Sequence, residues 1–366
     1  MTRSIAKDLA ALMMIPGLSG HEDRVRRHIA TELDAMGVDS RVDTLGNLIA
    51  TFPGSADAPS VMVFAHMDQL GFFVRKIEND GLIRVERMGG VPERALASQA
   101  VLLCVENGED VPGLIANKAH HATTPDEKYH VLKAPEIAID TGHGSKQAVM
   151  AAGIGIGTPV VYRPQVIELA GQCIAGPSID DRAGCAVLLD MARRLKDRAD
   201  GATVHLVFSV QEEFNLRGAM TAARALAPDI AIQIDLMLAT DTPDMADRGE
   251  MSLGGGPGMS HYSFHGRGTL NGVIPHPAAR RLIRAAADRV QVPLQHSAQV
   301  GVLTDLSYVQ QLGEGVICVD VGFPMRYSHS SLEMCDLRDL EALSQLLASA
   351  LEIVPGFDLS RDGVGA

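Results

Sequence analysis

Apolar positions along this chain recur at helical spacing at both ends and alternate at strand spacing in a long middle stretch. Near the start, the helical period covers residues 3–14 and 21–36, with Pro16 and Gly17 breaking between them. A strand pair follows, SRVDT and LIATF, around a turn at Gly46-Asn47. Next comes VMVFA, an unbroken apolar run ahead of the polar cluster that begins at His66. A strand apolar on both faces predicts a sheet covered by helices on both sides. From about Gly71 to Pro164 the texture changes to short alternating segments (FFVRKI, LIRVER, VLLCVE, GLIAN) separated by Gly, Asn and Pro. That pattern predicts a small barrel or sandwich, with one helix near SKQAVMAA. Helix and strand then alternate again: helix DDRAGCAVLLDMARRLK, strand TVHLVFSV, helix LRGAMTAARAL and strand DIAIQID. Helices PHPAARRLIRAAADRV, near 305–311, and LRDLEALSQLLASALEIV complete the series. The predicted architecture is one α/β domain, residues 1–69 and 165–366, with a β-domain of residues 70–164 inserted at a strand end.

Composition narrows the function. With 46% hydrophobic and 21% charged residues, the 366-residue chain has the make-up of a soluble globular protein with a sizeable core. A net charge of -13, with no basic block longer than RVRRH, argues against nucleic acid as a partner. No apolar stretch approaches the ~18 residues of a membrane span, and Arg3, Lys7 and Asp8 interrupt any signal-like apolar run at the amino terminus. Five scattered cysteines without CxxC spacing predict reduced thiols and a cytoplasmic protein.

Candidate chemistry collects where apolar strands end. VMVFA leads into His66 and Asp68, HLVFSV into Glu212 and Glu213, DIAIQI into Asp235, and VICVDVGFPMRY into His329. Asp180 and Asp181 stand just before a helix. Singly, each has a plainer reading: a strand-end His is usually scaffolding, Asp181 an N-cap, and a Glu pair a solvated helix start. Together they supply carboxylate oxygens and imidazole nitrogens at one sheet edge, the donors preferred by Zn, Co or Mn. Two ions need a bridging carboxylate, one His each and one further carboxylate each. His66, Glu213, Asp235 and His329 fill that list with Asp180 as bridge. Glu212 is left as general base for an activated water. Asp68, two residues past His66, is placed to accept the imidazole N–H.

PGLSGHE, AHMDQLGF, IDDRAG, QEEFNLRGA, IQIDLMLATDTP and FPMRYSHS occur in this order along the whole chain. As a set they resemble the dinuclear metal-dependent aminopeptidases of the tetrahedral (TET) and glutamyl aminopeptidase type, some of which carry an endoglucanase label. The resemblance implies a zinc-exopeptidase-like three-layer α/β sandwich with a mixed central sheet and an inserted small β-barrel. It implies removal of amino-terminal residues from peptides with two divalent ions per subunit, and a homo-oligomer such as a dodecamer. It assigns the bridge to Asp180, four residues before Gly184, and prefers Asp235 over Asp241 as ligand. Asn215 stands where similar enzymes commonly have Gly, and RYSHS and LTDLSY also depart from the usual pattern. Three other readings compete: a deacylase or carboxypeptidase on the same metals, a glycosidase, and a non-catalytic metal-stabilised assembly protein. The absence of Trp weakens the glycosidase, which needs a sugar-stacking surface.

Overall fold

The computed structural model describes residues 4–106, 108–266 and 268–363. Its centre is four parallel strands in the order Thr203–Ser209, Ser60–His66, Ile230–Leu238 and Ile317–Arg326. Antiparallel strands extend both sides, Leu48–Phe52 and Ser40–Val42 on one, Glu333–Asp336, Cys173–Gly176 and Ile167–Glu168 on the other. The sheet is therefore mixed, and both of its faces are covered. In Ser60–His66, Val61, Val63 and Ala65 enter the core beneath Ile5–Met13, Asp23–Ala35, Ile179–Leu195, Pro277–Val290 and Leu337–Ile353. Met62 and Phe64 enter the opposite core, under Gly218–Leu226 and Leu306–Val309. The strand reads as continuously apolar because alternate residues serve different helical layers.

Gly71–Ile77, Ile83–Met88, Ile139–Asp140, Val111–Ile115, Ala100–Leu103 and Pro159–Tyr162 close a six-stranded barrel around its own apolar core. Closure leaves this element no free ladder.

Several strands escaped sequence reading. Gly258–Phe264 and Gln295–Val300 pair with each other, and the former also pairs with Ile317–Arg326. Their sequences, GMSHYSF and QHSAQV, are polar and lack a clean alternation, so local propensity says little and pairing decides their conformation. Asp235 also does not end its strand, which continues to Leu238. Pairing with Ser60–His66 stops at Gln233↔Phe64, and only Ile317–Arg326 accompanies the strand further. The parting of these neighbours at their carboxyl ends opens the crevice in which the polar residues meet.

Candidate metal centre and active site

Asp180 lies between the two histidines. Its Oδ1 is 3.1 Å from Nε2 of His66, and its Oδ2 is 3.4 Å from Nε2 of His329. Glu213 Oε1 approaches the same His329 nitrogen at 3.8 Å. The remaining ring nitrogens are engaged elsewhere. Nδ1 of His66 is 3.2 Å from the carbonyl oxygen of Asp68 and 3.4 Å from its carboxylate. Nδ1 of His329 is 3.1 Å from the carbonyl oxygen of Gly90, in the barrel segment. A carbonyl oxygen only accepts, so each Nδ1 donates, and Nε2 of the neutral ring is left as the ligand atom. Gly90 allows this approach: a Cβ there would stand 2.8 Å from the His329 ring.

Two buried carboxylates hold the loops that carry these groups. Asp68 accepts the backbone N–H of Glu212 at 3.1 Å and that of Glu213 at 3.0 Å. Asp68 thus faces His66 and also holds the backbone of the paired glutamates. Glu333, which sequence reading missed, accepts from the backbone N–H of Asp180 at 3.1 Å and of His329 at 2.9 Å. Nothing local in SLEMCD marks it. The glutamates are not a solvated helix start, since the next helix begins only at Gly218. Between lies a tight loop with left-handed backbone at Gln211, Asn215 and Leu216. At φ 72°, Asn215 occupies a conformation in which Asn is the common substitute for Gly.

Asp235 is brought to the same cavity, where its carboxylate accepts from Gln233 Nε2 at 3.0 Å and from the backbone N–H of Leu236 at 2.7 Å. Asp181 caps its helix, accepting the Gly184 N–H at 3.0 Å. Asp241 binds Arg326 through both oxygens, at 2.8 and 2.7 Å, and neither residue lines the cavity. Those two are partners in a structural ion pair.

The cavity, about 500 Å³, is walled by His66, Asp180, Glu212, Glu213, Asp235 and His329, with Leu303, Thr304 and Ser328 from the two divergent sequence stretches. Burial pushes Glu212 and Asp235 well above the usual carboxylate range, with neighbouring carboxylates adding to it. Burial and Asp180 push Glu213 up to about 7. Against the effect of burial, Glu213 and Asp180 lift His329 to about 10, and the two histidines hold Asp180 low. Four carboxylates thus share two imidazoles, and no described Lys or Arg lines the cavity. The donor set is oxygen and imidazole nitrogen, and the nearby Cys185 thiol is turned away to the His66 carbonyl at 3.2 Å. Donor atoms of His66, Asp180 and Glu213 lie within 4.8 Å of one another. The residues fit a divalent cation of the Zn, Co or Mn type.

The same charges predict how the metal-free chain responds to pH. Glu213 and the buried Asp305, whose charge acts on Glu212, are both near 7 when folded, against ordinary values of 4.5 and 3.8. A carboxylate raised by folding stabilises fully below its unfolded value and loses that contribution as pH rises through its folded value. The apparent Tm of chelator-treated protein is expected to fall between about pH 5 and pH 8. Metal should remove most of that slope by replacing protons at the site. Scanning calorimetry across this range checks it, and a Tm rising with pH without metal would contradict the charge assignment.

The family described as M42 glutamyl aminopeptidase matches residues 46–346. The chain belongs to that family. Over 94% of its length it is 31% identical to the lysyl aminopeptidase of Pyrococcus furiosus, covering 96% of that protein. Among solved structures, the aminopeptidase APDkam598 of the archaeon Desulfurococcus kamchatkensis superposes with a TM-score of 0.90 at 33% identity, covering 98% of both chains. The TET1 peptidase of Pyrococcus horikoshii, described as able to assemble into a tetrahedron or a large octahedral shell, gives 0.85 at 27% identity, over 95% of this chain and 99% of that one. As a member of the M42 family, the chain is a metal-dependent aminopeptidase. The three-layer fold and closed barrel implied by its sequence are those observed. The five cysteines are free, and no helix among the described residues is long and apolar enough to cross a membrane.

Proposed function

We propose that this M42 enzyme removes the first residue of peptides with two divalent ions, Zn, Co or Mn, held by His66, Asp180, Glu213, Asp235 and His329. The observation that carries this reading is Asp180, with one oxygen toward each histidine. When bound, the ions supply an activated water and draw electron density from the scissile carbonyl. The chain's own residues do the rest. Glu212, buried in a cavity that no described Lys or Arg lines, takes the proton from the attacking water and returns it to the leaving amine. Asp68 keeps His66 Nε2 directed at the site and fixes the backbone that carries Glu212. The acidic wall favours a free ammonium at the amino terminus of the substrate. A peptide with an acetylated amino terminus is therefore expected to be cut far more slowly than its free-amine counterpart. Comparable rates, or cutting at internal bonds, would move the reading to another amidohydrolase.

The same reading extends to assembly and location. We take residues 70–164 as a separate inserted domain that serves oligomerisation and substrate access, and the enzyme as a homo-oligomer such as a dodecamer, as in the TET peptidases. Light scattering should give a multiple of the 38.9 kDa chain, reduced when a Gly/Ser linker replaces the insert. A monomeric intact protein would end this proposal. Free cysteines suit a cytoplasmic enzyme, which cell fractionation can check. Kinship spans more than one first residue: the family description says glutamyl and one relative is lysyl.

A further inference from the structure

Beneath the catalytic cleft lies a smaller pocket that the catalytic assignment does not use. The two share Asp235, Leu236, Leu238, Val302 and Thr304 as walls, so the inner pocket continues the cleft downward along the sheet. Its free space is about 30 Å³, room for about two water-sized groups. Three polar atoms in its wall have no hydrogen-bond partner among the described residues: Asp320 Oδ2, Gln299 Oε1 and Ser263 Oγ. Their residues are 3%, 7% and 5% exposed. Buried polar atoms are nearly always satisfied, so three that line one pocket leave acceptors for donors of a bound group.

The arrangement is built. Thr304 Oγ1 donates to Asp320 Oδ1 at 2.9 Å, fixing the carboxylate and leaving Oδ2 free. Ser263 and Gln299 are register partners on the adjoining strands Gly258–Phe264 and Gln295–Val300. All three atoms can accept a hydrogen bond, and one belongs to an acid. No described Lys or Arg lines the pocket. The complementary group is a compact cation with three donors, which is a primary ammonium; a guanidinium has five donors in a rigid fork.

Depth agrees with an amino acid side chain reaching down from the site. Asp320 pairs with Gln233, and Gly322 with Asp235. Asp320 thus lies two residues deeper than Asp235 and one strand across, about 8 Å between α-carbons at ~3.3 Å per residue and ~4.8 Å between strands. Lysine carries its ammonium on a flexible four-carbon stem. Met237, Leu238, Val302 and Val321 supply apolar wall for that stem.

We propose that this pocket receives the ammonium end of an amino-terminal lysine side chain, bound by Asp320, Gln299 and Ser263, with the stem lying along the walls shared with the cleft. The assignment rests on the aminopeptidase reading, because it places the first residue's carbonyl at the site above. The test compares lysyl and norleucyl p-nitroanilides, which share a four-carbon stem and differ by the ammonium, on metal-loaded enzyme and on Asp320→Asn. Wild type should favour lysyl by at least about tenfold in kcat/KM, since a site built for a polar group rejects the analogue lacking it. In Asp320→Asn the ratio should fall toward one. Equal or better turnover of the norleucyl amide by wild type overturns this assignment alone. A lysyl preference that survives Asp320→Asn also overturns it. Turnover of neither amide overturns the aminopeptidase reading together with this one. Should Asp320→Asn fail to fold, Gln299→Leu and Ser263→Ala are read for the same fall, and an unchanged ratio in both counts against the pocket.

Discussion

Glu212→Gln is expected to lower kcat by about 10²–10⁴-fold, the usual worth of a positioned general base, with metal content near that of wild type. The amide keeps the size of the side chain but cannot take a proton. Glu212 is not among the three residues whose donor atoms crowd together, and its backbone N–H is held by Asp68 whatever its side chain does. The neighbouring substitution should behave differently. Glu213 lies within that group, 3.8 Å from His329 Nε2. Glu213→Gln is expected to weaken one metal site, so that activity returns in part at raised metal concentration. Metal analysis of the purified variants beside their kinetics separates the two roles. If Glu213→Gln kept its metal and Glu212→Gln lost it, the assignments would be reversed.

Dialysis against a chelator should abolish turnover, and Zn, Co or Mn should restore it. The reason is electrostatic as well as chemical. Without metal, the protons of Glu212, Glu213 and Asp235 are held by burial, and the two imidazoles are drawn into ion pairs with Asp180 and Glu213. Burial then favours the neutral form of Glu212, which opposes its use as a base, and each Nε2 faces the Asp180 carboxylate. Restoration by several metals is expected because a carboxylate and imidazole set selects weakly among them. Full activity in protein stripped of metal would defeat the metal-centre reading.

How legible each part was followed from how local its cause is. Ser60–His66 could be read from VMVFA because burial on both faces leaves a continuous apolar run in the sequence itself. The barrel could be read from alternation broken by turn residues. His66, Glu212, Glu213, Asp235 and His329 stood out because charged and polar groups follow apolar runs, Asp180 because it precedes a helix, and a count of metal donors together with the resemblance grouped them as a candidate site. Glu333 and Gly90 gave no such sign. Glu333 lies 153 residues from the Asp180 N–H it accepts, and Gly90 lies 239 residues from His329. Glu333 acts through two backbone N–H groups and Gly90 through one carbonyl, contacts that leave no periodicity behind.

The sequence by itself determined the fold class, the inserted β-segment and the residue types at the sheet edge. These follow from hydrophobic period and strand ends, which are properties of neighbouring residues. Only the tertiary structure decided which atom of each histidine faces Asp180, that Asp241 belongs to Arg326, and that Asp320 looks into a pocket beside Asp235. Those outcomes depend on strand order, register and the seating of the barrel against the sheet. They are fixed by packing between segments far apart in the chain, where the sign and direction of a contact come from geometry that no local pattern records.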